Sequence, residues 1–330
     1  MVVMRVPILP ADLNLTYSPA AVADAAELSE LFNKIADADA TPERLSERSM
    51  RHELESYFDP LEERALVVRD DGEAIVAYAT VYSRRAESDE MRAYVNVYVT
   101  PEWRERGLED SLTDWAISVG TDALADAAVE SRFVCAWLYK SQKEASARFA
   151  ARGFTPVRHW WEMERLLNLP IRTQPADGFE VAPWTEEHDE AARLVHNAAF
   201  ADHWGSTPID QDDWKKQMID NPSLIRDRSY VALAGGEVVG YATVEEYPED
   251  WAAAGRKEAW IGALGVLRNW RKRGIATALL TRAMEAMRDA GLDAAMIGVD
   301  SDSPSGAQHI YRGVGFVTKI TGTTWQLEVD

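Results

Sequence analysis

The sequence predicts a mixed α/β fold built twice in one chain, and three observations carry that reading. The first is an internal repeat. Tyr78-Ala79-Thr80-Val81 returns 163 positions later as Tyr241-Ala242-Thr243-Val244, and Gly153-Phe154 returns 162 positions later as Gly315-Phe316. Between them, Trp103-Arg104-Glu105-Arg106-Gly107-Leu108 returns 167 positions later as Trp270-Arg271-Lys272-Arg273-Gly274-Ile275. Two copies in 330 residues indicate a duplicated domain, since a solenoid needs many short repeats. The second observation is an alternation of β-rich runs with helical periodicity. The third is the stretch 168–178, where Pro170, Pro175 and Gly178 fall in a segment without period. It divides the chain into domains 1–170 and 171–330.

The second copy shows its elements best. Residues 179–183 read as a short strand, and 186–200 as a helix with Leu194, Val195 and Ala198 on one face. A second helix covers 210–220. The runs 229–234 and 238–245 flank Gly235-Gly236 and read as a hairpin. Residues 259–267 form another strand, and 272–290 a long amphipathic helix through Ala276, Leu279, Leu280, Ala283 and Met287. Gly291 ends that helix. A strand at 294–299, a short helix at 304–312 and strands at 316–320 and 324–329 complete the order. The first copy follows the same order with weaker signals.

Composition narrows the function classes. Thirty-five basic against 55 acidic residues leave a net charge of −20, which argues against binding nucleic acid through its phosphates. The same charge argues against an anionic membrane surface and is compatible with a cationic substrate. With one cysteine, Cys135, no intrachain disulfide can form, and the six histidines lack metal-ligand spacing, so no metal is expected. The apolar run at the start is too short for a signal peptide, and Pro7 and Pro10 interrupt it. A cytoplasmic protein is the expectation.

The strongest functional signal is the turn that follows the 259–267 strand. A basic run, Arg271, Lys272 and Arg273, leads into a helix opening at Gly274, Ile275, Ala276 and Thr277. First-turn amides lack intrahelical partners and carry the positive end of the helix dipole. Small residues at 274 and 276 let a ligand approach that backbone. The arrangement suits a pyrophosphate. A solvated strand–helix connection is the alternative reading of so short a motif.

This segment resembles the acetyl-CoA signature Q/R-x-x-G-x-G/A of the GNAT superfamily of N-acetyltransferases, matched at Arg271, Gly274 and Ala276. Tyr311-Arg312-Gly313-Val314-Gly315-Phe316 resembles that superfamily's Y-x-x-x-G-F. Both halves share the likeness, so the chain is similar to tandem GNAT proteins, including those of the mycothiol synthase type. The resemblance implies acetyl-CoA as co-substrate. Its diphosphate would lie on the turn, its pantetheine arm along Leu264, Gly265 and Val266, and an amide near Leu264 would polarise the acetyl carbonyl. Where the family often has an asparagine after the next strand, this chain has Ser303.

Catalytic groups follow from the chemistry of the transfer. The departing thiolate needs a proton donor, and Tyr311, protonated at neutral pH, supplies one. An alkylamine with pKa near 10.4 is neutral in about one molecule per few thousand at pH 7, so a base is useful. Glu258 and Glu246 are the expected bases, with Glu245 and Asp300 as further candidates at strand ends. A mycothiol-synthase-like relative would carry glutamate where this chain has Trp260. For the acceptor, Asp202 could pair with an ammonium, and Trp204 or Trp251 could wall it.

The first copy has lost two of these features. Glu109 stands where the motif has a small residue, and Phe149 replaces the tyrosine. The expectation is a degenerate first domain and a catalytic second one that acetylates a primary amine of a small molecule or an amino terminus. The alternative is a non-catalytic acyl-CoA sensor that keeps the fold, which would not need the Tyr311 hydroxyl.

Overall fold

In each copy a long helix packs its apolar stripe against a sheet. The computed structural model describes residues 5–330 except 59, 84–89, 174–176, 202, 204–205, 207 and 302–305. Helix Ile275–Asp289 buries Leu279, Leu280, Ala283, Met284 and Met287 completely. Each Leu or Met so buried stabilises the fold by about 1.5–3 kcal/mol relative to exposure. Its counterpart Leu108–Leu124 buries Leu108, Leu112, Ala116 and Leu124 at the same spacing.

The chain forms two compact units, one running to Arg158 and adding Gly322–Asp330, the other His159–Thr321. In the first, strands β1 (Thr16–Pro19), β2 (Ala65–Arg69), β3 (Ile75–Ser83), β4 (Glu90–Val99) and β5 (Ser131–Tyr139) lie side by side in chain order. All pairs are antiparallel except β4 with β5. Helices Ala25–Asp39 and Glu47–Ser56 cover one face, the latter capped by the Ser46 side chain, which accepts from the Ser49 amide at 3.1 Å.

The remaining strands are β6 (Thr155–Leu166), β7 (Glu180–Pro183), β8 (Tyr230–Ala234), β9 (Glu237–Glu246), β10 (Glu258–Val266), β11 (Ala294–Asp300) and β12 (Val317–Val329). The second unit orders them β6-β11-β10-β9-β8-β7, with β10 and β11 parallel. Helix Asp189–Phe200 packs on one face of β9 and β10, and Ile275–Asp289 on the other.

The duplicated sequences divide near 170, but the units trade their last strands. Trp160–Leu166 of β6 pairs with β11 inside the second unit, and Gly322–Val329 of β12 pairs with β5 inside the first. Each exchange pairs an edge that would otherwise expose a row of backbone donors and acceptors.

Mixed α/β architecture is borne out, and the local differences have physical reasons. The long helix begins at Ile275, not 272, because Lys272 and Gly274 take positive φ of 63° and 82°. The expected helix at 210–220 is a turn of α-helix, Gln211–Trp214, followed by a π turn, Lys215–Ile219. The two final strands are one, Val317–Val329. Gly322 does not break it, because it makes room for Trp137: a Cβ at 322 would come 2.4 Å from that indole. Among the described residues no helix is long and apolar enough to cross a membrane, and no group of three His, Cys, Asp or Glu could hold a metal.

Candidate functional site

The second unit's site starts from an irregularity in β10. Its register against β9 runs Ala259↔Glu246, Trp260↔Glu245, Ile261↔Val244, then resumes at Leu264↔Ala242. Gly262 and Ala263 therefore oppose Thr243 alone. This is a β-bulge, held by the Ala263 amide donating to Thr243 Oγ1 at 2.8 Å. On its other side β10 pairs with β11 only as far as Ile261↔Ile297. Beyond that point the strands part.

A cavity of about 600 Å³ opens between them, lined by Leu264, Gly265 and Val266 from β10 and by Gly298, Val299 and Asp300 from β11. Along this gap β10 stays paired with β9, but its edge toward β11 is outside that pairing and can bond an extended ligand. Gly240 and Gly265 permit the close packing behind it. A Cβ at 240 would lie 3.0 Å from the Gly265 carbonyl oxygen, and one at 265 would lie 2.6 Å from the Tyr241 ring.

The helix start closes one end of the cavity. Gly274, Ile275, Ala276, Thr277, Arg271 and Lys272 line it. Gly274 caps the helix in a left-handed conformation, no side chain caps it, and no acid stands in its first turn. Its first amides are thus unclaimed donors at the positive end of a 15-residue helix.

Two basic side chains expected to hold the ligand serve the turn. Arg271 donates from Nε to the Val266 carbonyl at 3.2 Å and from Nη2 to the Ala199 carbonyl at 2.9 Å. Arg273 lies over the Trp270 ring at 4.4 Å, outside the cavity lining. Lys272 and the amides remain as the cationic contribution.

Tyr311, 8% exposed, lines the cavity from the short helix Ala307–Gly313. Burial pushes its hydroxyl up to about 12, so it carries its proton throughout the neutral range.

Of the candidate bases Asp300 alone lines the cavity, and Glu245, Glu246 and Glu258 stand outside its lining. Glu246 is held by Arg228 Nη1 at 2.6 Å. Glu258 pairs with Arg256 at 3.0 Å, and Arg256 also holds Glu164. These ion pairs tie both carboxylates to arginines and hold them in place. Glu245 is different. Its Oε2 accepts from the Tyr247 hydroxyl at 2.8 Å, and its carboxylate lies over Gly262, itself in the cavity wall.

Trp251 is not in the cavity lining; it donates from Nε1 to the Glu258 carbonyl at 2.8 Å with Lys257 above its ring. Asp202, Trp204 and Ser303 lie outside the described residues. Phe200 and His203, neighbours of the first two, line the cavity.

The acetyltransferase (GNAT) family model matches residues 185–316, nearly the whole second unit. A mycothiol acetyltransferase of Pseudarthrobacter chlorophenolicus is 27% identical over 264 residues, spanning 78% of this chain and 74% of that one. One from Thermobispora bispora is 26% identical over 262 residues, covering 78% and 80%. Among solved structures, a GCN5-related N-acetyltransferase from Sphaerobacter thermophilus superposes with a TM-score of 0.73 at 25% identity, over 97% of this chain and 96% of that one. A tandem GNAT protein from the clavulanic acid biosynthesis pathway superposes with a TM-score of 0.70 at 16% identity, over 95% and 98%.

Residues 185–316 thus match the GNAT acetyltransferase family, and the fold of the whole chain is that of tandem GNAT proteins.

Its two copies differ at the helix start. In the first, Gly107 caps Leu108–Leu124 with the same left-handed backbone as Gly274. Arg104 again bonds a strand-end carbonyl, Val99, at 3.0 Å, and Arg106 again covers a tryptophan, Trp103, at 5.1 Å. The arginine of the signature is therefore a fastening for the turn in both copies. Charge is what changes. Glu105, at φ 61°, replaces Lys272, at φ 63°.

Glu109 replaces Ala276, accepts from the Glu105 amide at 3.4 Å and pairs with Arg148 at 3.5 Å. A carboxylate of the chain itself therefore sits at this helix start. The bulge is absent too, since β3 and β4 pair without interruption from Ala77↔Val99 to Ser83↔Ala93. Phe149, in the tyrosine's place, packs edge-on against Phe154 at 5.0 Å.

Proposed function

We propose that the second unit transfers acetyl from acetyl-CoA directly to the primary amine of a small molecule, and that the first unit binds no coenzyme A. One observation carries this reading: the gap where β10 and β11 part runs into an uncapped, acid-free helix start. That combination offers an extended backbone edge to a pantetheine arm and a row of amides to a diphosphate. Amides 274–277 with Lys272 would hold the phosphates, and Leu264, Gly265 and Val266 would bond the arm. An amide near Leu264 would polarise the thioester carbonyl.

Acetyl-CoA supplies the activated acetyl group. Tyr311 holds a proton for the departing sulfur. The single thiol, Cys135, is buried in the first unit and pushed up to about 12 by burial, so it does not serve as a covalent carrier. Transfer therefore occurs with both substrates bound. Relatives named mycothiol acetyltransferase favour a small molecule over an amino terminus. Named transferases among the relatives also disfavour a non-catalytic acyl-CoA sensor.

The test is thiol release from acetyl-CoA across a panel of small amines, aminoglycosides and amino-terminal peptides. Amine-dependent release with an acetylated product supports the reading. Tight acetyl-CoA binding without release on any amine would replace it with the sensor.

A further inference from the structure

We propose that Glu245 is the general base of the transfer, supplying from β9 the carboxylate that β10 lacks at Trp260. The proposal rests on the transfer reading above and adds the residue that accepts the acceptor's proton.

The register places the two positions opposite one another. Glu245 is the direct partner of Trp260, so both side chains leave the sheet on the same face. The resemblance to mycothiol-synthase-like proteins puts an acid at Trp260, and here the acid stands one strand over.

The bulge then gives that acid its seat. A Cβ built on Gly262 would lie 2.0 Å from Glu245 Oε1 and 2.3 Å from Cδ. No residue with a side chain could stand at 262 without expelling the carboxylate. Gly262 is in the wall of the cavity, so the carboxylate is held against the wall where the bulge kinks the strand.

Its charge balance also sets Glu245 apart from its neighbours. Glu246 and Glu258 each have an arginine. Among the described residues no cation pairs with Glu245, whose only hydrogen bond comes from Tyr247. Holding a half-buried carboxylate without a cation costs stability, and such costs concentrate at functional sites. Desolvation raises its pKa, partly offset by the Tyr247 hydrogen bond. A carboxylate raised toward neutrality is a better proton acceptor than an ordinary one.

The titratable groups facing it are Tyr247 and Tyr241. The latter is fully buried and hydrogen-bonded through its hydroxyl to His196 Nδ1 on helix Asp189–Phe200 at 2.5 Å. The Tyr241 hydroxyl is in turn raised by burial and by the charge of Glu245. In the first copy the matching residue is Tyr82, stacked on Tyr94 at 5.0 Å, so the copy that lost the cradle has no carboxylate there either.

The proton accounting closes. Glu245 takes one proton from the acceptor ammonium and releases it to solvent. The freed nitrogen attacks the thioester carbonyl, its C–N bond forms and the C–S bond breaks. Tyr311 gives its proton to the sulfur and recovers one from the new amide nitrogen. Ammonium and thioester become amide, thiol and one free proton.

The experiment compares wild type, E245Q and E245D with an alkylamine acceptor, and again with an aromatic amine that is already neutral at pH 7. For E245Q with the alkylamine, kcat/KM should fall by about 10²–10³-fold. The acidic limb of its pH profile should flatten, with acetyl-CoA affinity unchanged by calorimetry. E245D should recover part of the rate. The aromatic amine needs no base, so E245Q should turn it over at close to the wild-type rate, which also shows that the variant is folded. E246Q serves as the control that keeps alkylamine turnover. Alkylamine turnover by E245Q within threefold of wild type, with the acidic limb intact, would overturn the base assignment alone. Equal loss on both amines would make Glu245 a structural residue and overturn it too. No turnover by wild type on any amine would remove the transfer reading, and the base with it.

Discussion

Ala276→Glu transplants into the second copy the feature that closes the first. Glu109 shows where a carboxylate at this position goes: its oxygen reaches the Glu105 amide two residues before the helix cap. The same side chain at 276 would enter the space proposed for the diphosphate. At about 4 Å and an effective dielectric near 20, its repulsion of one phosphate charge is roughly 4 kcal/mol. That corresponds to about 10³-fold in Kd, and screening at physiological salt brings the expectation to 10²–10³-fold. Arg148, which pairs with Glu109, has no counterpart in the second copy, where Ile310 stands at the equivalent position and Lys272 is the nearby cation.

Folding should be spared. Ala276 is half-buried at the surface of the helix, and an acid in a first turn otherwise free of acids favours the dipole by about 0.3–1 kcal/mol. The variant should therefore keep or raise its Tm while losing acetyl-CoA binding by calorimetry. Unchanged affinity in a folded A276E would refute the reasoning, since a diphosphate on those amides could not tolerate the carboxylate.

Tyr311→Phe should lower kcat about 10²-fold or more while leaving acetyl-CoA affinity within a few-fold, measured by steady-state kinetics beside calorimetry. Full turnover would remove the hydroxyl from the mechanism. Arg271→Ala breaks two charged hydrogen bonds to carbonyls and should cost about 2–3 kcal/mol, a Tm drop of roughly 4–10 °C. A large loss of affinity with no change in Tm would make Arg271 a ligand after all. Glu245→Gln should stabilise the protein at neutral pH. With its folded pKa raised, the native chain keeps that proton after the unfolded chain has released it, so wild-type stability falls as pH climbs past the ordinary carboxylate range. Denaturant melts of both proteins from pH 4 to pH 8 should diverge in that direction, and parallel curves would contradict the burial of an unpaired charge.

The sequence displays what repeats and what is periodic. Repeated Tyr-Ala-Thr-Val, the Trp-Arg-x-Arg-Gly turn and the stripe of Leu279, Leu280, Ala283 and Met287 were enough to find two copies, their mixed sheets and the helix that opens at Gly274. Long-range pairing left no local trace. The exchange of β6 and β12 depends on which strand edges meet, and Gly322 reads as a turn until Trp137 is seen in its Cβ position.

The site followed the same division. Cavity-lining positions 264–266, 274–277 and 311 came from a motif with a backbone mechanism. The basic side chains and acids did not resolve, because their roles depend on partners. Arg271 reaches back to Val266 and across to Ala199, while Glu246 and Glu258 are claimed by Arg228 and Arg256. Glu245 was one of four strand-end acids the sequence offered, and only the bulge sets it apart, since two strand residues opposing one is not a pattern in either strand's sequence.

The most direct measurement is the electron density of crystals grown with saturating acetyl-CoA, read beside the calorimetric stoichiometry. One molecule per chain is expected, its diphosphate on the amides that follow Gly274 and its arm between β10 and β11, with Glu109 still seated on the Glu105 amide in the first copy. A second molecule at Gly107, or a ligand bound elsewhere while the Gly274 turn stays bare, would contradict the account.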